Sequence, residues 1–230
     1  MVFGVVRPAK AGDEVYNTYG ELSTGALIHR YSFADVADNP YNVVNIDGDV
    51  IAAALREHAT PAQLKAAKVL AKKHDEVLGP LPYYEVRGDG SVDPDLLLRL
   101  HSALAEEGAR EQLLTMLEDD GGDDDVEHEN DEEAMLTPPV CRVLADAIAA
   151  RRARYPKGGD RASAEAALGR AEREGASARI RAARMLRLGE LLVLERAADQ
   201  VGRRLGGVKK ASPPPGGGKL RGGSKRRRES

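Results

Sequence analysis

From Val50 onward the apolar residues recur three and four positions apart, and this period constrains the fold more than any other feature of the sequence. Val50, Ile51, Ala54 and Leu55 form one such set, and Leu64, Ala67, Val69, Leu70 and Val77 form the next. Residues at this spacing share one face of an α-helix, whereas a half-buried strand would alternate apolar and polar positions. Thr60-Pro61 has the order of a helix start, a capping hydroxyl followed by a proline at the first helical position. Asp93-Pro94 repeats that order, and Pro138-Pro139 opens a further helix that runs to about Arg154 before Pro156. A last long segment, about Ala162 to Val201, carries Ala, Leu, Ile and Met among arginines, and helix is expected to dominate from there to the tail. The expected fold class is therefore mainly α.

The first 46 residues have a different grammar. "VFGVV" and "EVYNTY" are rich in β-branched and aromatic residues, with "RPAKAGDE" as a turn between them, so residues 2–19 are expected to be a hairpin-like pair of strands. Ser23 precedes "TGALIHRY" as the N-cap of a short helix, and "NPYNVVNI" is extended as far as a turn at Asp47-Gly48. Further on, Tyr83 to Val86 reads as a short strand followed by a Gly-Asp-Gly turn.

Charge marks the segments that do not contribute to a core. The net charge of -3 conceals an acidic run at 118–133, "EDDGGDDDVEHENDEE", and an almost purely basic end from Arg203. Like charges repel and stay solvated, so 118–134 is expected to be a loop and 206–230 a disordered tail. The acidic run lacks the calcium-loop spacing of acids around a fixed glycine. One cysteine, Cys141, excludes an internal disulfide framework and fits a reducing compartment. No apolar run reaches the roughly 18 to 20 residues that span a bilayer, so no membrane partner is expected. No strand leads into a glycine-rich phosphate loop, and no Ser, His and Asp set points to hydrolysis.

The aromatic residues demand an explanation of their own. The chain has seven Tyr, two Phe and no Trp, yet Tyr16, Tyr19, Tyr31 and Phe33 fall within eighteen positions. Read from the residues alone, they are either core aromatics of a small sheet or the wall of a binding site.

"GDEVYNTYG" at 12–20, followed by "ELSTGALIHRYSF" and "NPYNVVNID", resembles the C-terminal end of the SET domain. It is similar in particular to the protein-lysine methyltransferases of the Rubisco large-subunit methyltransferase type, in which a "GEEI-NTYG" strand precedes "LSN--LL--YGF". "YYEVRGDGSVDPDLLLRLHSAL", "RRARYP" and "ARMLRLGELLVLERAADQV" resemble the helical substrate-binding domain of that family, including the run Arg187 to Leu191. The likeness covers about residues 2–201. It implies a SET remnant at 1–46, a helical substrate-binding domain at 47–205, and protein-lysine N-methylation with S-adenosylmethionine. Tyr19 matches the catalytic tyrosine position. Tyr31 and Phe33 match the wall of the cofactor pocket, and Tyr19 and Tyr31 that of the lysine channel. Tyrosine suits such a site, because its face attracts cationic methyl and ammonium groups while its hydroxyl orients an amine. The earlier SET strands and the Asn-His-Ser segment of the family are expected before residue 1, so the chain alone is expected to bind S-adenosylmethionine poorly.

The expected partner is a protein presenting a lysine, such as a histone, a ribosomal protein or another basic protein. Nucleic acid is expected to meet only the basic tail. Lys209-Lys210 and Lys225 to Arg228 have the character of a nuclear localisation signal, with the cytoplasm as the alternative and a plastid address not excluded. The competing functional class is a non-enzymatic module that binds a basic protein through its helices and acidic run.

Overall fold

The computed structural model describes residues 8, 10–14, 19–34, 36–110, 112 and 134–208. Most of the hairpin expected over residues 2–19 therefore lies outside the described residues, as do the acidic run at 118–133 and the tail from 209 onward, whereas 206–208, expected in the disordered tail, continue the last helix.

The helix starts are built as their sequences dictate. In α1 (Thr24–Tyr31), Ser23 Oγ accepts the Ala26 N–H at 3.1 Å. Asp47-Gly48, expected as a turn, is instead the entry to α2 (Gly48–His58), because Ile51 and Ala54 on its apolar face can be buried at once. Thr60 and Gln63 form a reciprocal capping box at the start of α3 (Pro61–Lys73), and Gln63 Nε2 also donates to Leu104 O at 2.7 Å. After the single turn α4 (Asp75–Leu78), Asp93 Oδ1 accepts the Asp95 N–H at the start of α5 (Pro94–Leu104). α6 (Pro138–Ala153) follows, ending just before a 3₁₀ turn at Pro156–Gly159.

The long segment after it is two helices, α7 (Arg161–Arg173) and α8 (Ala178–Val208). Gly175 takes φ +64° between them, and Ser177 Oγ accepts from the Ile180 N–H at 3.5 Å. A left-handed glycine followed by a capping serine is a stop and a start, and that pair outweighs the continuous Ala and Arg content.

The chain is mainly helical, with one small sheet. Its strands β1 (Val43–Asp47) and β2 (Tyr83–Arg87) pair antiparallel, with Val44 opposite Val86 and Ile46 opposite Tyr84. Those four side chains point inward and are buried, while Val43 and Tyr83 face out. The sheet closes over Leu96 and Leu100 of α5, Val143, Leu144 and Ile148 of α6, and Val193 and Leu194 of α8, all essentially fully buried. Each large aliphatic side chain removed from water in this way contributes about 1.5–3 kcal/mol. The core is thus almost wholly aliphatic.

α8 is the spine. Its 31 residues span about 46 Å at 1.5 Å per residue, and it touches α1, both strands, α6 and α7. Two glycines allow the connecting loops to lie against it. A Cβ at Gly189 would stand 2.5 Å from Ala37 O and 2.6 Å from Asn42 Nδ2, so only glycine admits the 37–42 loop there. Gly90 takes φ +93°, and a Cβ on it would meet the backbone of α8 at 2.8 Å. Arg196 of α8 then fastens both loops, donating to Gly88 O at 2.8 Å and to both oxygens of Asp38 at 2.7 Å.

Candidate functional site

Tyr19, Tyr31 and Phe33 meet. Their ring centroids lie 4.5 Å apart for Tyr19 and Tyr31, 5.2 Å for Tyr19 and Phe33, and 6.4 Å for Tyr31 and Phe33. The rings are tilted 45 to 57° against one another, within the range of favourable aromatic pairs. The local backbone explains the meeting. α1 carries Tyr31 in its last turn and ends at Ser32 in the left-handed conformation, φ 62°, whose N–H bonds back to Ile28 O at 2.9 Å. That reversal costs a non-glycine residue about 1 kcal/mol. It places Phe33 beside the ring it follows.

A buried polar network holds the start of α1 to the 36–42 loop, which Arg196 and Gly189 seat against α8. Asn42 Oδ1 accepts the Thr24 N–H at 2.9 Å, and Asn42 Nδ2 donates to Ala37 O at 2.8 Å. Asn39 Nδ2 donates to Leu22 O at 2.9 Å, and Thr24 Oγ1 to Val36 O at 3.2 Å. Thr24, Asn39 and Asn42 are all buried, so each bond replaces one that water would otherwise make. The rings themselves stay in solvent: Tyr19 is 54% exposed and Tyr31 46%, and Phe33 is half-buried. Neither tyrosine hydroxyl has a hydrogen-bond partner among the described residues. Half-exposed faces and free hydroxyls are what a cationic methyl or ammonium group would engage. Tyr16 lies outside the described residues.

The two helical segments that carry the rest of the resemblance converge on one cluster, which sequence reasoning did not connect. Tyr155, from "RRARYP", donates its hydroxyl proton to Glu190 Oε2 at 2.5 Å. The Arg151 guanidinium lies 4.6 Å from the Tyr155 ring centre and 3.8 Å from Glu190, and its Nε donates to Asn45 O of β1. Burial, reinforced by the hydrogen bond to Glu190, pushes the Tyr155 phenol well above its ordinary range. Arg187 Nη2 donates to Pro156 O at 2.7 Å, while its buried Nε has no partner among the described residues. Within the run Arg187 to Leu191, Gly189 makes room for the 37–42 loop and Glu190 receives Tyr155. Both roles join elements together rather than touch a ligand.

The four histidines outside the acidic run behave differently from one another. His58 Nε2 pairs with Asp146 at 2.6 Å, linking α2 to α6. His101 is half-buried, and desolvation lowers its pKa against a smaller opposing contribution from the Met135 backbone. His29 is exposed, and His74 Nε2 is buried without a partner among the described residues. Among the described residues no three His, Cys, Asp or Glu side chains gather as metal ligands, and no helix is long and apolar enough to cross a membrane.

No protein-family model matches the chain, and no curated protein matches it either.

Proposed function

We propose that this chain takes part in protein-lysine N-methylation, contributing the catalytic tyrosine and a substrate-docking domain. The observation that carries this reading is the joining of Tyr19 with Tyr31 and Phe33, twelve and fourteen positions further on, into one half-exposed aromatic group. The wording of the sequence around them, "NTYGELS" and "LIHRYSF", is the second support.

S-adenosylmethionine supplies the methyl group when bound. The lysine amine would take that methyl with its lone pair and pass a proton to solvent, the donor leaving as a neutral thioether. Tyr31 and Phe33 offer ring faces to the positive charge on the methyl donor. Tyr19 offers its hydroxyl to the incoming amine and so fixes the direction of the lone pair. The exposed ring faces and unpartnered hydroxyls fit both tasks.

The test is transfer of labelled methyl from S-adenosylmethionine to a lysine-rich protein such as a histone mixture. It uses the natural gene product that carries this sequence, purified from its own cells, with Tyr19→Phe alongside. Removal of the hydroxyl is expected to lower transfer by about tenfold or more, the size of a lost transition-state hydrogen bond of about 1.4 kcal/mol, with unfolding unchanged. Equal transfer by the two proteins, or none by either, would count against the reading.

A further inference from the structure

We propose that the trough between α2, α3 and α5 docks an acidic amphipathic helix of a partner protein. Two adjoining hollows, about 460 and 450 Å³, share Ala52, Leu55, Pro80 and Arg99 and so form one elongated track. Its floor is aliphatic, with Leu55 and Leu64 half-buried and Leu81 43% exposed at one end. An amphipathic helix covers such a floor with an apolar stripe at i, i+3, i+4 and i+7.

The rim chooses the charge of the occupant. Arg56 of α2 stands on one side, and Lys68 and Lys72 of α3, one turn apart, on the other. None of the three has an ionic or hydrogen-bond partner among the described residues. Arg99 lies where the hollows join, its Nη1 donating to Leu78 O at 2.5 Å, which leaves the rest of its fork of donors for a carboxylate. Of the two acids that line the trough, Asp49 sits in the first turn of α2, where the helix dipole complements it, and Asp75 opens the single turn α4. Cations on both rims match carboxylates flanking an apolar stripe on both sides. A single-headed anionic amphiphile would engage only one of them.

This surface is separate from the aromatic group and asks for the opposite charge to a lysine-rich substrate. It therefore stands whether or not the methylation reading does.

The test is fluorescence polarisation of a synthetic helix-forming peptide, leucines at the stripe positions and glutamates on the flanks, titrated with the full chain. Binding is expected to weaken about tenfold or more in Lys68→Glu/Lys72→Glu, whose side chains are exposed and whose circular dichroism should be unchanged. Ala67→Phe, which fills the floor without altering charge, should weaken it similarly. A peptide of the same composition with its leucines scattered should bind at least about tenfold less well.

Equal binding of the scattered peptide, or indifference to both variants, would overturn the proposal. Capture of dodecanoate in place of the peptide would overturn it in favour of a lipid. A gain of about tenfold or more on replacing the acids of 118–133 with Gly and Ser would assign the trough to the chain's own acidic run and overturn a partner in trans.

Discussion

The aliphatic core and the aromatic group use large side chains in opposite ways. Leu100, Leu144 and Leu194 are wholly withdrawn from water and are held between a sheet and three helices. Tyr19 and Tyr31 spend much of their surface on each other and on Phe33, and about half of each remains in solvent. A chain so poor in aromatics could have buried those rings to strengthen its core. Instead the polar anchor of Thr24, Asn39 and Asn42 holds them out on the surface. Burial without function and exposure with free hydroxyls are the two ends of this contrast, and each can be broken by substitution.

The largest effect falls on the core. Leu144→Ala and Leu194→Ala should each lower unfolding free energy by about 2–5 kcal/mol, whereas Tyr31→Ala should stay within about 1 kcal/mol. Denaturant titration of the three variants decides it, and a Tyr31→Ala as costly as Leu144→Ala would make the rings part of the core after all.

The joint between the two regions comes next. In Gly189→Ala the added methyl would press on Ala37 O and Asn42 Nδ2, an overpacking worth about 1–3 kcal/mol. Hydrogen exchange should locate the loosening in residues 37–42 and α1. Asn42→Ala leaves the buried Thr24 N–H without its acceptor, at a cost of about 1–3 kcal/mol. The same amide should then exchange faster, while those of α6 keep their protection.

The pH dependence is the smallest effect, and on the core side it is read at His101. Desolvation lowers the His101 pKa in the folded chain, so the unfolded chain binds its proton more readily. This contribution to stability is fully present above the ordinary histidine value near pH 6.5 and is lost as pH falls below it. His101→Gln should flatten the decline in unfolding free energy between about pH 7.5 and pH 5 relative to the unaltered chain. An unchanged slope would place the decline on other groups.

How much of this could be read in the sequence depended on the range of the interactions. Ser23, Thr60 and Asp93 could be recognised as caps because their bonds reach only two or three residues, and all three bonds are present. The meeting of Tyr19 with Tyr31 was likewise within reach, since one short helix separates them. Asp47-Gly48 has the composition of a turn, yet the same residues start a helix when an apolar face follows. Gly175 and Ser177 carried a legible stop and start that the run of Ala and Arg obscured. The trough could not be seen at all, because Arg56, Lys68 and Arg99 come from three helices that only tertiary packing brings together. For the same reason Tyr155 and Glu190, 35 positions apart, gave no local sign of their bond.

The central claim is that Tyr19, Tyr31 and Phe33 form a site rather than a piece of core. Its most direct test follows the ring resonances of the three residues by NMR while S-adenosylmethionine is added to the chain, with Tyr31→Ala in parallel. The account predicts saturable shifts concentrated on these rings, with weak affinity, and their loss in a Tyr31→Ala protein that remains folded. Unmoved rings at millimolar S-adenosylmethionine, or shifts that persist in Tyr31→Ala, would contradict it.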